Sequence, residues 1–160
     1  VFEQYSNLAR TAVMFARLEA GRMGAKEIDS EHILLGIVRV DPAMVFAVAP
    51  ELTLDAARDR AAGWQAPTAS VPTSVGMPVS DEATRILDRA GSLAKDRKDA
   101  FLRTEHLLLA LALEPSHGCD ILTEAGAEFH QGEQLVGDRL GAGQQDKRDW
   151  SEEDLSELFG

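Results

Sequence analysis

A single cysteine, Cys119, stands in a chain of 160 residues. It leaves no intrachain disulfide framework, and a reducing compartment, the cytoplasm, is the expectation. Bases are scarce as well: 16 Lys and Arg face 27 Asp and Glu, for a formal charge of -11. Such a field repels phosphate backbones and anionic headgroups, which argues against nucleic acid and membrane surfaces as partners. No apolar run nears the ~18 residues of a spanning helix. The start, Val1-Phe2-Glu3-Gln4-Tyr5, lacks the basic and apolar regions of a signal peptide. No stretch alternates apolar and polar residues convincingly enough for a strand. Reacting constellations are missing too. The nearest approach to a phosphate loop, residues 141–147, carries Asp146 where the second glycine belongs and Arg148 after the lysine. Neither a Gly-x-Ser-x-Gly elbow nor a recognised Ser/His/Asp spacing is present, so the chain reads as no enzyme, with no cofactor.

What the chain does have is an internal repeat. Shifting it by 74 residues aligns 6–37 with 80–111 without a gap, and eight of those 32 positions are identical. Ser6/Ser80, Ala16/Ala90, Glu31/Glu105, His32/His106 and Leu35/Leu109 are among them. Within each copy the period is helical: Ala9, Ala12, Val13, Ala16 and Ala20 recur at one-face spacing, as do Ala83, Ile86, Leu87, Ala90 and Ala94. Ser6 and Ser80 stand where an N-cap belongs, and Ser30 and Thr104 are expected to cap the second helix of each copy. Residues 33–38 and 107–113 are apolar on nearly every side, so these helices should be central and buried. Asp41-Pro42 and Glu114-Pro115 end them and can open a third helix, since proline suits a first turn. A fourth helix fits 52–62 and 128–140. The expectation is an all-α, pseudo-twofold eight-helix bundle spanning 1–140: repeat one over 1–63, a Pro/Ser/Thr-rich linker over 64–79, repeat two over 80–140.

The repeated phrases Ile28-Asp29-Ser30-Glu31-His32-Ile33-Leu34-Leu35-Gly36-Ile37 and Leu102-Arg103-Thr104-Glu105-His106-Leu107-Leu108-Leu109-Ala110-Leu111 resemble the "VGTEHLLLGL" signature. That signature marks the N-terminal double-repeat domain of Clp (Hsp100) unfoldases, which carries it twice. The opening Phe2-Glu3-Gln4-Tyr5-Ser6 is similar to the start of that domain, and the resemblance covers about residues 1–140. It implies an eight-helix double repeat that is not catalytic and receives protein substrates or adaptor proteins above an ATPase ring. It also implies Clp unfoldase or protease subunits as partners. The ClpC branch resembles a reader of phosphoarginine, which carries over to Glu31 and Glu105 as guanidinium acceptors. Ser6 and Ser80 then begin the helices whose free N–H groups would hold a phosphate.

Asp29 and Arg103 stand where the signature has glycine, and Arg103 is placed to occupy the Glu105 carboxylate. Asp81 and Glu82 oppose a phosphate after Ser80, so the first of the two sites is expected to be the more capable. An acid in a helix's first turn also stabilises the dipole by a few tenths to about 1 kcal/mol, which alone accounts for Glu31 and Glu105. His32 and His106 are expected to bond a neighbouring backbone carbonyl. His117, Cys119, Asp120 and His130 lack a recognised metal spacing, so no metal is expected and Cys119 should pack as a small apolar residue.

Residues 141–160 hold six acids and two bases, a charge of -4 that leaves -7 on the repeats. Ser151 can cap a short helix there, with Trp150, Leu155, Leu158 and Phe159 as an apolar stripe. That tail reads either as a last helix folding back or fraying, or as a docking motif for a partner groove. Val1 occupies the place of an initiator methionine, which suggests a non-AUG start and a free-standing repeat domain: an adaptor, decoy or substrate receptor. The alternative is the substrate-receiving head of a ClpC-type AAA+ unfoldase. A third class is an unrelated helical enzyme or small-molecule binder, which would need a ligand or turnover in the groove between repeats.

Overall fold

The computed structural model describes residues 4–63 and 69–141, without the side chains of 129–132. Eight helices run through the described residues: α1 (Asn7–Arg22), α2 (Ser30–Val40), α3 (Pro42–Val48), α4 (Leu54–Ala62), α5 (Asp81–Asp96), α6 (Thr104–Leu113), α7 (His117–Glu124) and α8 (Phe129–Gly141). The architecture is all-α, and the described residues hold no strand beyond two isolated bridges. Helices α1 and α5 each run 16 residues and start 74 apart, as do α2 and α6, so the sequence repeat is a structural one.

Local chemistry sets the helix starts. The hydroxyls of Ser6 and Ser80 accept the N–H of Ala9 and Ala83, and Asp41 caps α3 just ahead of Pro42. The caps of α2 and α6 differ from expectation by one residue: Asp29 and Arg103 are the N-caps, and Ser30 and Thr104 are already helical. An aspartate competes well for this position, and it releases the Ser30 hydroxyl for a contact between repeats. Ser116, after Pro115, caps α7, so this helix begins two residues past the proline.

Helix α2 is the axis of the molecule. All its residues except Arg39 are buried, and it packs against α1, α3, α4, α5, α6 and α7. Gly36 lets α1 come close: a Cβ there would sit 2.0 Å from the Ala12 carbonyl oxygen. Repeat two has Ala110 at the matching position, so α5 and α6 have no such backbone contact to keep. Repeat one also buries an ion network that has no counterpart among the described residues of repeat two. Glu19, 1% exposed, takes Arg58 at 2.6 Å and Arg39 at 3.7 Å, and Arg39 lies over the Phe15 ring at 3.8 Å. The repeat-two counterparts of Phe15, Glu19 and Arg39 are Arg89, Leu93 and Leu113. The described part of the linker is laid back along α1. Arg17 donates to the carbonyls of Pro72 (2.7 Å) and Val75 (2.6 Å), and the Val71 N–H reaches Gly21 O at 2.7 Å.

Helices α1 and α5 leave their last turn through a left-handed residue, which is Gly24 (φ 69°) in one repeat but Lys98 (φ 59°) in the other. A lysine there carries a Cβ strain that glycine avoids. Lys98→Gly is therefore expected to raise stability by about 1 kcal/mol in urea unfolding. Gly36→Ala forces α1 and α2 apart and should cost about 3 kcal/mol. The converse Ala110→Gly, which opens no clash, should cost only about 1 kcal/mol.

Candidate functional site

Two short parallel bridges lock the repeats together, and each joins the segment before a Glu-His signature to the segment before the other repeat's first helix. Ile28 N–H donates to Pro78 O and Ser80 N–H to Ile28 O, both at 2.9 Å. At the matching place Leu102 N–H donates to Gln4 O (2.8 Å) and Ser6 N–H to Leu102 O (2.9 Å). Pairing is thus crossed between repeats. Glu31 belongs with α5 and Ser80, and Leu102, just ahead of the Glu105 helix, is held to the start of α1 at Ser6. The acids after Ser80, expected to burden the second site, lie at the first.

That first site gathers groups from three helix starts. Asp29 and Glu31 come from the beginning of α2, Glu82 from the first turn of α5, and His117 from the first residue of α7. One ligand atom from each lies within 4.8 Å of the other three. The Ser80 hydroxyl donates to Asp29 Oδ1, and the Ser30 hydroxyl donates to Glu82 Oε2 at 2.7 Å while accepting Gly118 N–H at 2.9 Å. His117 Nδ1 stands 3.3 Å from Glu31 Oε2 and 3.8 Å from Glu82 Oε2. Glu31 is 1% exposed. Burial above all, then the charges of Asp29 and Glu82, pushes its carboxyl up to about 7 against the pull of its own backbone N–H and His117. The site can therefore take a cation or a guanidinium. It is hostile to a phosphate, because α5's first turn is capped by Ser80 and carries Asp81 and Glu82.

The second site is closed by its own chain. Glu105 is fully buried, with Arg103 NH2 at 2.8 Å from Oε2 and the Thr104 hydroxyl donating to Oε1 at 2.8 Å. An incoming guanidinium would have to displace Arg103. Both signature histidines bond a backbone N–H, a partner the sequence did not suggest. Each turns Nδ1 back to accept the N–H of its own helix's N-cap, Asp29 at 2.9 Å and Arg103 at 2.8 Å. This is the reaching-back half of a capping box, with imidazole in place of Glu or Gln. With Nδ1 accepting, the His106 proton sits on Nε2 and points to Asp99 Oδ2 at 2.7 Å. Burial keeps both rings neutral, His32 down to about 4.

Sequence reading missed Asp29, Glu82 and His117 as partners of Glu31. The last two lie 51 and 86 residues further on, and no spacing rule joins three helix starts. Cys119 turns its thiol to Ala112 O at 3.7 Å, is half-buried and is not among the clustered groups. The His130 side chain and the tail residues Trp150, Leu155, Leu158 and Phe159 lie outside the described residues. Among the described residues no helix is long and apolar enough to cross a membrane.

Comparison with known proteins places these features in context. The family described as the Clp repeat (R) N-terminal domain matches residues 4–125. The rice chloroplastic chaperone protein ClpD2 is 30% identical over 115 residues, 69% of this chain and 12% of that protein. An uncharacterized protein of Mycobacterium tuberculosis is 30% identical over 132 residues, 82% of this chain and 52% of that protein. The chain thus spans about half or less of these curated relatives. Among solved structures, the N-terminal domain of the chaperone ClpD from Arabidopsis thaliana superposes with a TM-score of 0.71 at 22% identity. That match covers 88% of this chain and 99% of the ClpD domain. The Hsp104 N-terminal domain from Candida albicans gives 0.70 at 19% identity, covering 89% and 95%. At these identities the structural matches speak for the fold.

The raised Glu31 carboxyl makes a stability prediction. Between pH 4.5 and about 7 the unfolded chain ionises Glu31 while the folded one resists. This contribution is complete below pH 4.5, is lost as pH rises, and is level again above 7. Glu31→Gln removes the conflict. In chelator-treated buffer the variant should be more stable than the parent at pH 8, by on the order of 2 kcal/mol, and equal to it near pH 4. The opposite slope contributed by His32 is common to both proteins and drops out of the difference.

Proposed function

The chain belongs to the Clp repeat (R) N-terminal domain family, and from that premise we propose that it is a non-catalytic protein-binding module of a Clp chaperone–protease system. It receives protein substrates or adaptor proteins. The observation that carries this reading is the completeness of the double repeat, which covers 99% of a ClpD N-terminal domain. Interaction, rather than turnover, is what such a domain supplies to its system.

Within that role the Glu31 site is the receptor point, and its chemistry selects among client marks. The phosphoarginine reading needs a guanidinium acceptor and a phosphate cradle together. Glu31, with Asp29 and Glu82 within 4.8 Å, supplies the first. The same acids oppose the second, since a phosphate at the start of α5 would face Asp81 and Glu82. The preferred ligand is therefore an unphosphorylated arginine side chain of a client or adaptor, and phosphoarginine is the poorer one. The adaptor or decoy role and the role of receiving head in a ClpC-type unfoldase share this chemistry. The match to the Mycobacterium tuberculosis protein, of which the chain spans 52%, supports the first role, and the match to ClpD2, of which it spans 12%, is compatible with the second.

Fluorescence anisotropy with paired peptides tests the site in chelator-treated buffer at low salt. An arginine peptide should bind at least as tightly as its phosphoarginine twin, and Glu31→Ala should weaken it about tenfold. Tighter binding of the phosphorylated peptide, or indifference to Glu31→Ala, would sink this assignment. Co-purification of Clp subunits with the native protein, whose mass in cells separates a free-standing module from a head domain, tests the wider role.

A further inference from the structure

We infer that Asp29, Glu31, Glu82 and His117 form a binding site for one divalent transition-metal cation of zinc-like ligand preference, where the sequence alone suggested none. Three carboxylates and one imidazole are a borderline oxygen–nitrogen donor set, suited to zinc or manganese more than to calcium, which takes oxygen alone. Their ligand atoms already lie within 4.8 Å of one another, and metal bonds of about 2.1 Å would draw them a little closer. His117 is 38% exposed on its side chain and can make that adjustment.

The cluster is more than a group of acids. Glu31 Oε2 is buried, accepts no hydrogen bond, and points into the cluster toward His117 Nδ1 at 3.3 Å. A buried carboxylate oxygen in that state is costly unless a cation takes it. No Lys or Arg among the described residues pairs with Asp29, Glu31 or Glu82. The other two carboxylates are oriented by hydroxyls, as metal ligands commonly are: Ser80 donates to Asp29 Oδ1 and Ser30 to Glu82 Oε2. The matching end of the molecule shows what a merely structural solution looks like. There Arg103 replaces Asp29, Leu8 replaces Glu82, and the buried Glu105 is neutralised within its own helix start. A metal would tie the starts of α2, α5 and α7 together, and so both repeats. It would also compete with an arginine side chain for Glu31, although it stands independently of the client reading above.

Calorimetric titration of zinc chloride into the full chain, stripped of metal beforehand, tests the assignment. We expect one equivalent to bind at micromolar or tighter affinity and to raise the melting temperature by mass action. Glu82→Gln and His117→Ala, each checked for folding by its melt in chelator, should weaken binding about tenfold or more. Cys119→Ser should leave it unchanged. Absence of uptake at micromolar zinc overturns the site, as does unaltered affinity in both cluster variants, or loss of binding with Cys119→Ser. The arginine-peptide measurement is made without metal, so failure of one reading does not carry the other with it.

Discussion

Four backbone hydrogen bonds, exchanged across the pseudo-twofold axis at Ile28 and Leu102, decide where everything else in this protein can be. Each repeat offers the residue two places before its signature helix, α2 or α6, to the other repeat's first-helix segment. The two bridges, Ile28 with Val79 and Tyr5 with Leu102, are one contact seen twice, since Ile28 and Leu102, like Tyr5 and Val79, stand 74 residues apart. A hydrogen bond of this kind is worth about 1 kcal/mol net. Its larger effect is to set register, because leaving the buried Ile28, Ser80 or Leu102 groups unpaired would cost more than the bond contributes. Neither repeat can shift along the other without orphaning two donors at each bridge.

From that register follows the crossed composition of the candidate sites. Helix starts concentrate free N–H groups and capping side chains, and here the starts of α2, α5 and α7 meet at one end. Symmetry brings equivalent backbones together at both ends but says nothing about side chains, and the ends have diverged. One holds Asp29, Glu31, Glu82 and His117 with carboxylates left in excess. The other replaces the cap by Arg103 and closes the ion pair internally. A duplicated scaffold with one end sealed and one open is a natural way to convert two potential sites into a single selective one.

Much of the fold was legible from residue order alone, and particular residues show why. The 74-residue shift, the alanine faces of α1 and α5, and the apolar runs of α2 and α6 are local patterns, and local patterns fix helices. Cap assignment slipped at Ser30 and Thr104, since Asp29 outcompetes a neighbouring serine and a histidine can fill the reaching-back role of a capping box. The site was legible only as far as Glu31 and Glu105. Its remaining members depend on the crossed register, which is a tertiary fact: Glu82 looked like a helix-start acid and His117 like a stray histidine near a cysteine. Buried Glu19 escaped notice for the same reason, its partner Arg58 lying on another helix.

The charge of the chain takes on a different meaning once this placement is known. A formal -11 first argued only against phosphate-bearing partners such as nucleic acid. In the folded protein some of that charge is focused where three helix dipoles point their positive ends, an arrangement that ordinarily invites an anion. Here the dipoles are answered by the protein's own carboxylates, so the positive ends stabilise the cluster rather than a ligand phosphate. With those ends satisfied internally, what is left over is negative and half-enclosed, and it calls for a cation. The same reasoning that ranks arginine above phosphoarginine at Glu31 therefore also makes a bare metal ion its natural competitor.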